Sequence, residues 1–365
     1  MAENGGNMEN QLDQNDWEKI KIDLADKGYV VVHDVLTENE CDQSIAQYRD
    51  WLSQFDVDEA PFHLHSLIQR YRIGHFEPSW RVRLKAKPVF AKLWKTEKLL
   101  SSFDAVAIGE PPEKSGSDER FARGDEKWLH LDQGKFRQGL HAYQGAVYLE
   151  ETTDTDWVFR VLSGSHKHHQ LFYDSHPAAG NKSKQDFYKL KDPEIQWYKE
   201  KGCELTKVPV PKGGMVLWDS RLVHDSCRPE LGRPNADRWR FVVFVSMTPA
   251  VWASERDLNM RKTAYKRLFL TTHWSSQGAN YFPEKNSDFP WKRIKTIESL
   301  PDIALSDDAK LLSGVIEYDF EDGRPNGDEY FPVWTIGEYA EEHEEPIQPI
   351  KHKKRSKPAK SGKKK

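Results

Sequence analysis

The sequence is poor in cysteine and contains no long apolar run. Its 365 residues include three cysteines, Cys41, Cys203 and Cys227, which lie far apart. Neither a disulfide framework nor a cysteine-based zinc knuckle can be built from them, which indicates a reducing compartment. No stretch reaches the roughly 18 apolar residues that span a bilayer, and the polar start of the chain lacks the apolar core of a signal peptide. We therefore expect a cytoplasmic or nuclear protein that is neither secreted nor membrane-bound.

Basic residues are concentrated at one end of the chain. The sequence has 54 Lys and Arg against 58 Asp and Glu, a net charge of −4. Nine of the basic residues and no acidic one fall in residues 351–365, which leaves 45 basic against 58 acidic residues, or −13, elsewhere. Such an acidic body argues against a folded surface that follows a phosphate backbone. The tail fits a nuclear localisation signal, a loose nucleic-acid hook or a disordered solubility segment, and the sequence leaves these open.

Composition also predicts how the chain is divided. We expect a disordered N-terminus, one large domain, an extension that packs on it and a disordered basic tail, over residues 1–16, 17–275, 276–348 and 349–365. Residues 109–127 are rich in Gly, Pro, Ser and charge and predict a mobile lid, because long loops in compact domains are often lids. The polar segment 166–203 is predicted to be an insertion between strands.

Short apolar segments separated by turn residues predict strands at 29–32, 140–149, 157–162, 205–210, 215–218 and 240–247. Helices are predicted at 17–27 and after a capping box at 37–40. Residues 81–87 alternate basic and apolar side chains, which fits either a strand or a helix restarted at Pro88. Since strands and helices do not alternate regularly, the pattern favours a mainly β fold with flanking helices (α+β). A jelly roll or related sandwich is expected rather than a parallel sheet.

The triplet His130-Leu131-Asp132 precedes a predicted strand. In an extended chain, residues two apart project to the same side, so that His130 and Asp132 can face a common metal ion. His224, which follows the predicted strand 215–218, would complete a set of two histidines and one carboxylate. This set leaves positions open for a co-substrate and oxygen and suits non-haem Fe(II). Zinc sites of four cysteines or three histidines do not fit the residues available.

A triplet of this kind is not specific by itself. About two are expected by chance in a chain with 14 His and 58 acidic residues. Three occur, beginning at His75, His130 and His343, and only His130 has the lid before it, a strand after it and a partner downstream. Arg240 opens the next predicted strand, where its guanidinium would pair with a dicarboxylate through two parallel hydrogen bonds. The cluster His166, His168 and His169 is expected at the surface or the pocket rim.

The chain resembles the phytanoyl-CoA dioxygenase-like (PhyH-like) group of Fe(II)/2-oxoglutarate oxygenases over roughly residues 17–275, through ordered motifs that are more specific than the triplet alone. The motifs are Gly28-Tyr-Val-Val-Val-His-Asp-Val-Leu36, Ser102-Phe-Asp104, Trp128-Leu-His-Leu-Asp-Gln133, Gln144-Gly145, Gly164-Ser-His-Lys167, Gly213-Gly-Met-Val-Leu-Trp-Asp-Ser-Arg-Leu-Val-His224, Arg240 and Met247-Thr-Pro249. Thr272-His-Trp274 is similar to a segment found in one branch of the group.

The resemblance implies a double-stranded β-helix of the cupin-like type. It implies three iron ligands, His130, Asp132 and His224. It also implies that Arg240 pairs with the distal carboxylate of 2-oxoglutarate, with Arg238 as the rival because the loop after His224 is long. Gln144 is implied as a contact of the co-substrate or as an outer partner that orients a ligand.

The implied reaction hydroxylates a C–H bond of a small or medium organic substrate, with 2-oxoglutarate and O2 consumed and succinate and CO2 released. Ascorbate would serve as a reductant. The lid and the insertion are expected to select the substrate. Two departures stand out. The chain ends in Lys363-Lys-Lys365 instead of a peroxisomal Ser-Lys-Leu-type address, which disfavours a peroxisomal role on fatty acyl-CoA. Trp157 stands where relatives often have glycine, which would reshape the pocket wall.

Two other functions stay open. One is an oxygenase that modifies a nucleic-acid base such as methylcytosine, targeted by the basic tail. The acidic body counts against it, and it predicts DNA binding with a steep salt dependence that is lost on deletion of residues 351–365. The other is a catalytically silent, cupin-like protein that binds a ligand and forms no succinate with its fold intact. The sequence does not specify the oligomeric state.

Overall fold

A computed structural model of the chain describes residues 16–56, 61, 65–114, 128–183, 186–283 and 296–335. Three of the predicted segments fall wholly or largely outside these ranges. They are the N-terminal segment 1–16, the lid 109–127 beyond residue 114, and the basic tail 349–365. Within the described part of the chain, no helix combines the length and the apolar character needed to cross a membrane.

Sixteen strands and eight α-helices are found among the described residues. The strands are β1 Tyr29–Val32, β2 Leu67–Ile68, β3 Leu99–Ser101, β4 Val106–Gly109, β5 His130–Leu131, β6 Arg137–Gln138, β7 Tyr143–Tyr148, β8 Phe159–Ser163, β9 Tyr188–Lys189, β10 Glu204–Val208, β11 Met215–Asp219, β12 His224–Ser226, β13 Arg240–Pro249, β14 Leu270–Thr271, β15 Tyr281–Phe282 and β16 Val333–Trp334. The helices are α1 Trp17–Lys27, α2 Glu38–Leu52, α3 Glu77–Trp94, α4 His169–Ser175, α5 Pro177–Lys182, α6 Asp192–Glu200, α7 Glu255–Arg267 and α8 Asp307–Ser313.

Two antiparallel sheets form the body of the protein. The larger has seven strands in the order β1-β11-β7-β13-β4-β2, with β3 also paired to β13, and the smaller has the order β10-β8-β12-β5-β9. Apolar residues of both sheets share one buried cluster, which includes Tyr148 and Val242 from the larger sheet and Phe159 and Val161 from the smaller. Strands distant in sequence are thus neighbours in two packed layers. The predicted mainly β fold with flanking helices is confirmed, and its topology is that of a double-stranded β-helix.

Strand β13 contributes apolar side chains to the packing on both sides of the larger sheet, because it is buried on both faces. Phe241, Val243 and Val245 pack in the cluster that α1, α2 and α3 cover. Val242 and Phe244 face the smaller sheet. A strand buried on both sides reads as a near-continuous apolar run, which is why this segment was predictable from its composition.

Residues 81–87 belong to helix α3, so the strand interpretation was wrong. The helix begins at Glu77 and continues through Pro88 instead of restarting there. Val82, Ala86 and Val89 are fully buried at helical spacing, and they form the face that packs on the core. The alternation of basic and apolar residues imitates a strand over seven residues, a length at which the two periods are hard to distinguish.

The segment 296–335 contacts the body at several places. The hydroxyl of Tyr265 donates to the carbonyl of Ala304 at 2.7 Å, and Lys98 pairs with Asp322 at 2.6 Å. Strand β16 pairs with β6, and Arg137 lies between the rings of Trp274 and Trp334, with its guanidinium carbon 3.6 and 4.0 Å from their centroids. The pairing of β16 with β6 and the Arg137 stack join the C-terminal part of the chain to the segment that follows β5.

Gly213 supplies a test of this topology. It lies just before β11 with φ +76°, and a Cβ there would overlap the carbonyl oxygen of Leu36. We expect Gly213→Ala to lower the free energy of unfolding by about 2–4 kcal/mol, because backbone strain adds to a clash that the core cannot relieve. Gly202 is the matched control, since it has φ +85° but no atom within 4 Å. Its alanine variant should lose only about 1–2 kcal/mol. Equal losses in urea unfolding would contradict the clash.

Candidate metal centre and its pocket

Two adjacent strands of the smaller sheet bring the predicted histidines together. His224 at the start of β12 lies directly opposite His130 at the start of β5, and their ring centroids are 4.4 Å apart. Asp132 follows two residues after His130. Its Oδ1 lies 3.5 Å from Nε2 of His130, and its Oδ2 lies 3.4 Å from Nε2 of His224. One ligand atom from each of the three residues therefore lies within 4.8 Å of the other two.

Backbone carbonyls orient both imidazoles. Nδ1 of His130 lies 3.0 Å from the carbonyl oxygen of Trp128, and Nδ1 of His224 lies 2.9 Å from that of Leu222. A proton on Nδ1 satisfies each contact and leaves Nε2 with a free lone pair directed at the common centre. Gln144 donates from its side-chain nitrogen to Oδ2 of Asp132 at 3.2 Å. The three candidate ligands are thus held in place by groups that do not themselves contact the centre.

Burial and charge prepare this group for a cation. Burial, followed by the nearby His224, lowers the pKa of His130 to about 4, so its ring is neutral at pH 7. Burial alone would raise the pKa of Asp132, but His130, His273 and His224 outweigh it and hold that pKa well below its usual range. A neutral imidazole and an ionised carboxylate are the forms that bind metal. The donor set of two histidines and one carboxylate, open on one side to a pocket, fits a non-haem Fe(II) ion.

A buried ion pair between Asp225 and Arg160 holds together strands next to the metal centre. Asp225, next to His224, accepts two hydrogen bonds from Arg160 on β8, at 2.8 and 2.6 Å. The same carboxylate accepts a hydrogen bond from the backbone nitrogen of Trp128 at 3.2 Å. The Asp225 side chain therefore links β12 to β8 and to the segment that leads into β5. It thus connects the two strands that carry His224 and His130.

The three candidate ligands lie in the wall of a pocket of about 840 Å³, its open mouth included. Its apolar lining is largely aromatic and comprises Trp128, Phe159, Phe187, Trp218 and Phe244. Trp128 stacks between His65 and His130, with centroid distances of 4.2 and 4.5 Å. Phe187, from the predicted insertion 166–203, is half exposed at the mouth, and its ring lies 5.2 Å from that of His130.

Arg240 lies in the same pocket and is buried. Its Nη1 donates to the hydroxyl of Ser66 at 3.0 Å, whereas its Nε has no hydrogen-bond partner among the described residues. No ion pair of Arg240 occurs in the part of the chain that the structure describes. Burial lowers its pKa from the ordinary value of arginine. Trp157 lies behind it, 6.0 Å from ring centroid to guanidinium carbon, so this departure from the usual glycine borders the arginine.

Arg238, the predicted rival, does not line the pocket. Its Nη1 donates to Asp156 at 2.9 Å, and its Nη2 donates to Glu151 at 2.5 Å. Asp156 also pairs with Arg233 at 2.9 Å. The guanidinium of Arg238 is therefore already neutralised by two carboxylates outside the pocket.

The turn before His166 and His169 led us to expect both residues at the surface or the pocket rim. Neither lies at the surface. Both are buried, and their Nε2 atoms contact the carbonyl oxygens of Ala25 and Gln133 at 3.0 and 2.9 Å. Helix α4 and the short turn before it direct the two imidazole rings towards the interior. The sequence pattern does not reveal this direction. Neither residue lines the pocket.

Asp104 and His273 line the pocket, although the sequence assigned them no role. Burial raises the pKa of Asp104 to about 7. Nε2 of His273 is buried and has no hydrogen-bond partner among the described residues. The only sequence signal for them was their membership in the motifs Ser102-Phe-Asp104 and Thr272-His-Trp274, which indicates importance but not position.

The sequence profile of the family described as phytanoyl-CoA dioxygenase (PhyH) matches residues 24–228, more than half of the chain. The chain belongs to the phytanoyl-CoA dioxygenase family. The matched range contains His130, Asp132, Gln144 and His224, whereas Arg240 lies beyond its end. The part of this family member that carries the candidate metal ligands is thus the part that its family shares.

Three other proteins are similar to this family member. Ava biosynthesis cluster protein O from Aspergillus versicolor is 24% identical over 303 residues, which cover 73% of this chain and 94% of that protein. The epimerase SnoN, solved in complex with Fe3+, alpha ketoglutarate and nogalamycin RO, is 16% identical with a TM-score of 0.45, over 64% of this chain and 83% of SnoN. AviO1 from Streptomyces viridochromogenes Tue57 is 14% identical with a TM-score of 0.41, over 64% of this chain and 94% of AviO1.

We expect His224→Ala to weaken Fe(II) binding by about 100-fold or more while the fold is retained, because one of three ligand atoms is lost and no described neighbour replaces it. Metal content after anaerobic reconstitution, measured beside circular dichroism, checks this. His168→Ala is the control, since it removes an imidazole outside the pocket. Stoichiometric iron in the His224 variant would rule out this ligand set.

Proposed function

We propose that the protein is an Fe(II)- and 2-oxoglutarate-dependent dioxygenase that hydroxylates a C–H bond of a small or medium organic substrate. The main support is one arrangement: three candidate ligand atoms within 4.8 Å of each other, in a pocket that also holds a buried arginine. Iron bound there, together with 2-oxoglutarate and O2, would supply the oxidant for the C–H bond and leave succinate and CO2 as co-products.

In this proposal His130 and His224 hold the iron through Nε2, because their Nδ1 atoms are turned towards backbone carbonyls. Asp132 supplies one oxygen, and Gln144 restrains the carboxylate through its other oxygen. Three protein ligands on one side leave the remaining octahedral positions free for the co-substrate and oxygen. Held imidazoles and a held carboxylate also resist rearrangement when those positions fill.

Arg240 is proposed to bind the distal carboxylate of 2-oxoglutarate. Its guanidinium has hydrogen-bond donors to spare, carries a charge without a described counter-ion and lies in the pocket beside the hydroxyl of Ser66. A planar fork of N–H groups matches a carboxylate, and the dry surroundings strengthen the pairing. Binding would also relieve the cost of burying the arginine unpaired.

The aromatic lining is proposed to hold the substrate and to exclude water. Trp128 is fixed by the stack with His65 and His130, and its Nε1 donates to the carbonyl of Ser226 at 3.2 Å. Phe187 closes the opposite side of the mouth. A substrate that covers the exposed half of Phe187 would bury apolar surface next to the metal centre. This burial would favour binding and would orient one C–H bond of the substrate towards the metal centre.

We expect Arg240→Ala to raise the KM for 2-oxoglutarate by about 100-fold or more, because losing one partner of a buried charge pair costs about 2–5 kcal/mol. Arg238→Ala is the matched control and should leave this KM within about threefold, since its carboxylate partner Asp156 keeps Arg233. Succinate formation with Fe(II) and ascorbate measures both. An unchanged KM in the Arg240 variant would remove this arginine from the co-substrate site.

Anaerobic titration with Fe(II) and then 2-oxoglutarate tests the proposal as a whole. A charge-transfer band in the visible should appear on addition of 2-oxoglutarate, and succinate should form on exposure to O2. Iron binding without the band would point to another co-substrate. Absence of both iron binding and succinate from a folded protein would favour the silent ligand-binding alternative. Oxidation of a methylcytosine oligonucleotide in preference to small molecules would favour the nucleic-acid alternative.

A further inference from the structure

We propose that the end of the pocket opposite Arg240 binds a protonated amine of the substrate, with Asp104 as its counter-ion. The substrate class is a small organic ammonium compound with an apolar, ring-bearing skeleton. This inference rests on the proposed function, because it gives the Arg240 end of the pocket to 2-oxoglutarate and leaves the other end to the substrate.

Strand geometry separates the two ends. Arg240 and Phe244 both line the pocket and lie four residues apart on one face of β13, which corresponds to about 13 Å along the strand. The backbone nitrogen of Phe244 donates to the carbonyl of Ala105, so Asp104 lies at the Phe244 end. A dicarboxylate bound at Arg240 would therefore leave Asp104 to another molecule.

Strand β2, which pairs with β4 and not with β13, runs past the same two ends of the pocket. His65, Leu67 and Gln69 are two residues apart and all line the pocket. Leu67 pairs with Ala107 and Ile68 with Val106, so Gln69 follows at the end of this pairing that is nearer to Asp104. The amide of Gln69 is exposed at the rim. The Asp104 end therefore opens towards the mouth, where a substrate would enter.

Asp104 has acceptor capacity that the protein does not use. Its Oδ1 accepts a hydrogen bond from the backbone nitrogen of Ala105 at 2.7 Å. No other hydrogen bond and no ion pair of this carboxylate is formed with the described residues. The nearby charges are Arg83, which donates to the carbonyl of Ser102, and Asp132 of the metal centre. A carboxylate offers about four acceptor positions, so a partly buried one with a single described donor favours a cationic ligand.

The polar groups that line the pocket near Asp104 match an ammonium better than other head groups. The amide oxygen of Gln69 accepts hydrogen bonds. His273 lies two residues after Thr271, whose backbone nitrogen donates to the carbonyl of Phe103, the residue before Asp104. The buried Nε2 of His273 has no partner among the described residues. An ammonium presents three donors and no acceptor to these three groups. A hydroxyl presents one donor, and a carboxylate or phosphate presents none and would be repelled. The aromatic wall of Trp128, Phe187 and Phe244 suits an apolar skeleton and attracts a cation over its faces.

Two probes with one skeleton test this proposal: 2-phenylethylamine and 2-phenylethanol. Calorimetric titration of the metal-free, full-length protein should give an affinity for the amine at least tenfold above that for the alcohol. Asp104→Asn should reduce the preference for the amine over the alcohol to less than threefold, and Asp104→Glu should retain it. Asp174→Asn is the matched control, because it makes the same change on an exposed residue of α4.

Equal affinities of the wild-type protein for the amine and the alcohol, or no binding of the amine, would overturn the proposal without any variant. A full amine preference in a folded Asp104→Asn protein would also overturn it. Failure of the proposed function has a different signature, namely no succinate from iron-loaded protein, and the metal-free titrations do not depend on it.

Discussion

The candidate active site depends on the antiparallel pairing of β12 with β5. These strands are short and lie more than ninety residues apart in sequence, yet their register puts His224 opposite His130. The buried pair of Asp225 and Arg160 reinforces the pairing by joining β12 to β8, and Asp225 also holds the backbone of Trp128. A slip of one residue would turn either imidazole to the other face of the sheet. A bidentate ion pair in the core favours one register, which short strands alone would specify only weakly.

Burial of charge shapes the whole pocket. Arg240 stands without a described counter-ion, Asp104 accepts a single hydrogen bond from the described residues, and Asp132 is ionised because it lies between His130 and His224. Each of these charged groups would be better solvated in water than in a partly buried cavity. A folded protein retains such arrangements where a ligand completes them, and membership of the phytanoyl-CoA dioxygenase family supports that interpretation. The unfavourable electrostatics of these three groups are the counterpart of the pocket's capacity to bind ligands.

Much of the fold was predictable, and the errors have a common origin. β11 and β13 were found because strands buried on both faces are apolar throughout. Residues 81–87 were ambiguous because seven residues do not separate a period of 2.0 from one of 3.6. His166 and His169 were expected at the surface because they follow a turn glycine, but short helices rotate them into the core. In both of these cases the local pattern did not settle the direction of the side chains, which came from packing that the pattern does not contain.

The sequence by itself determined the family, six of the strands and the identity of the residues proposed to bind iron and 2-oxoglutarate, because these are encoded in short ordered motifs and apolar runs. Only the tertiary structure decided between Arg240 and Arg238 as pocket residues. The two lie two residues apart in sequence, but Arg240 begins β13, whereas Arg238 lies in the loop before it and is held there by the carboxylates of Glu151 and Asp156. It also brought Asp104 and His273 into one pocket. Residues about 170 positions apart meet there because sheet pairing, and not sequence proximity, sets which side chains share a cavity.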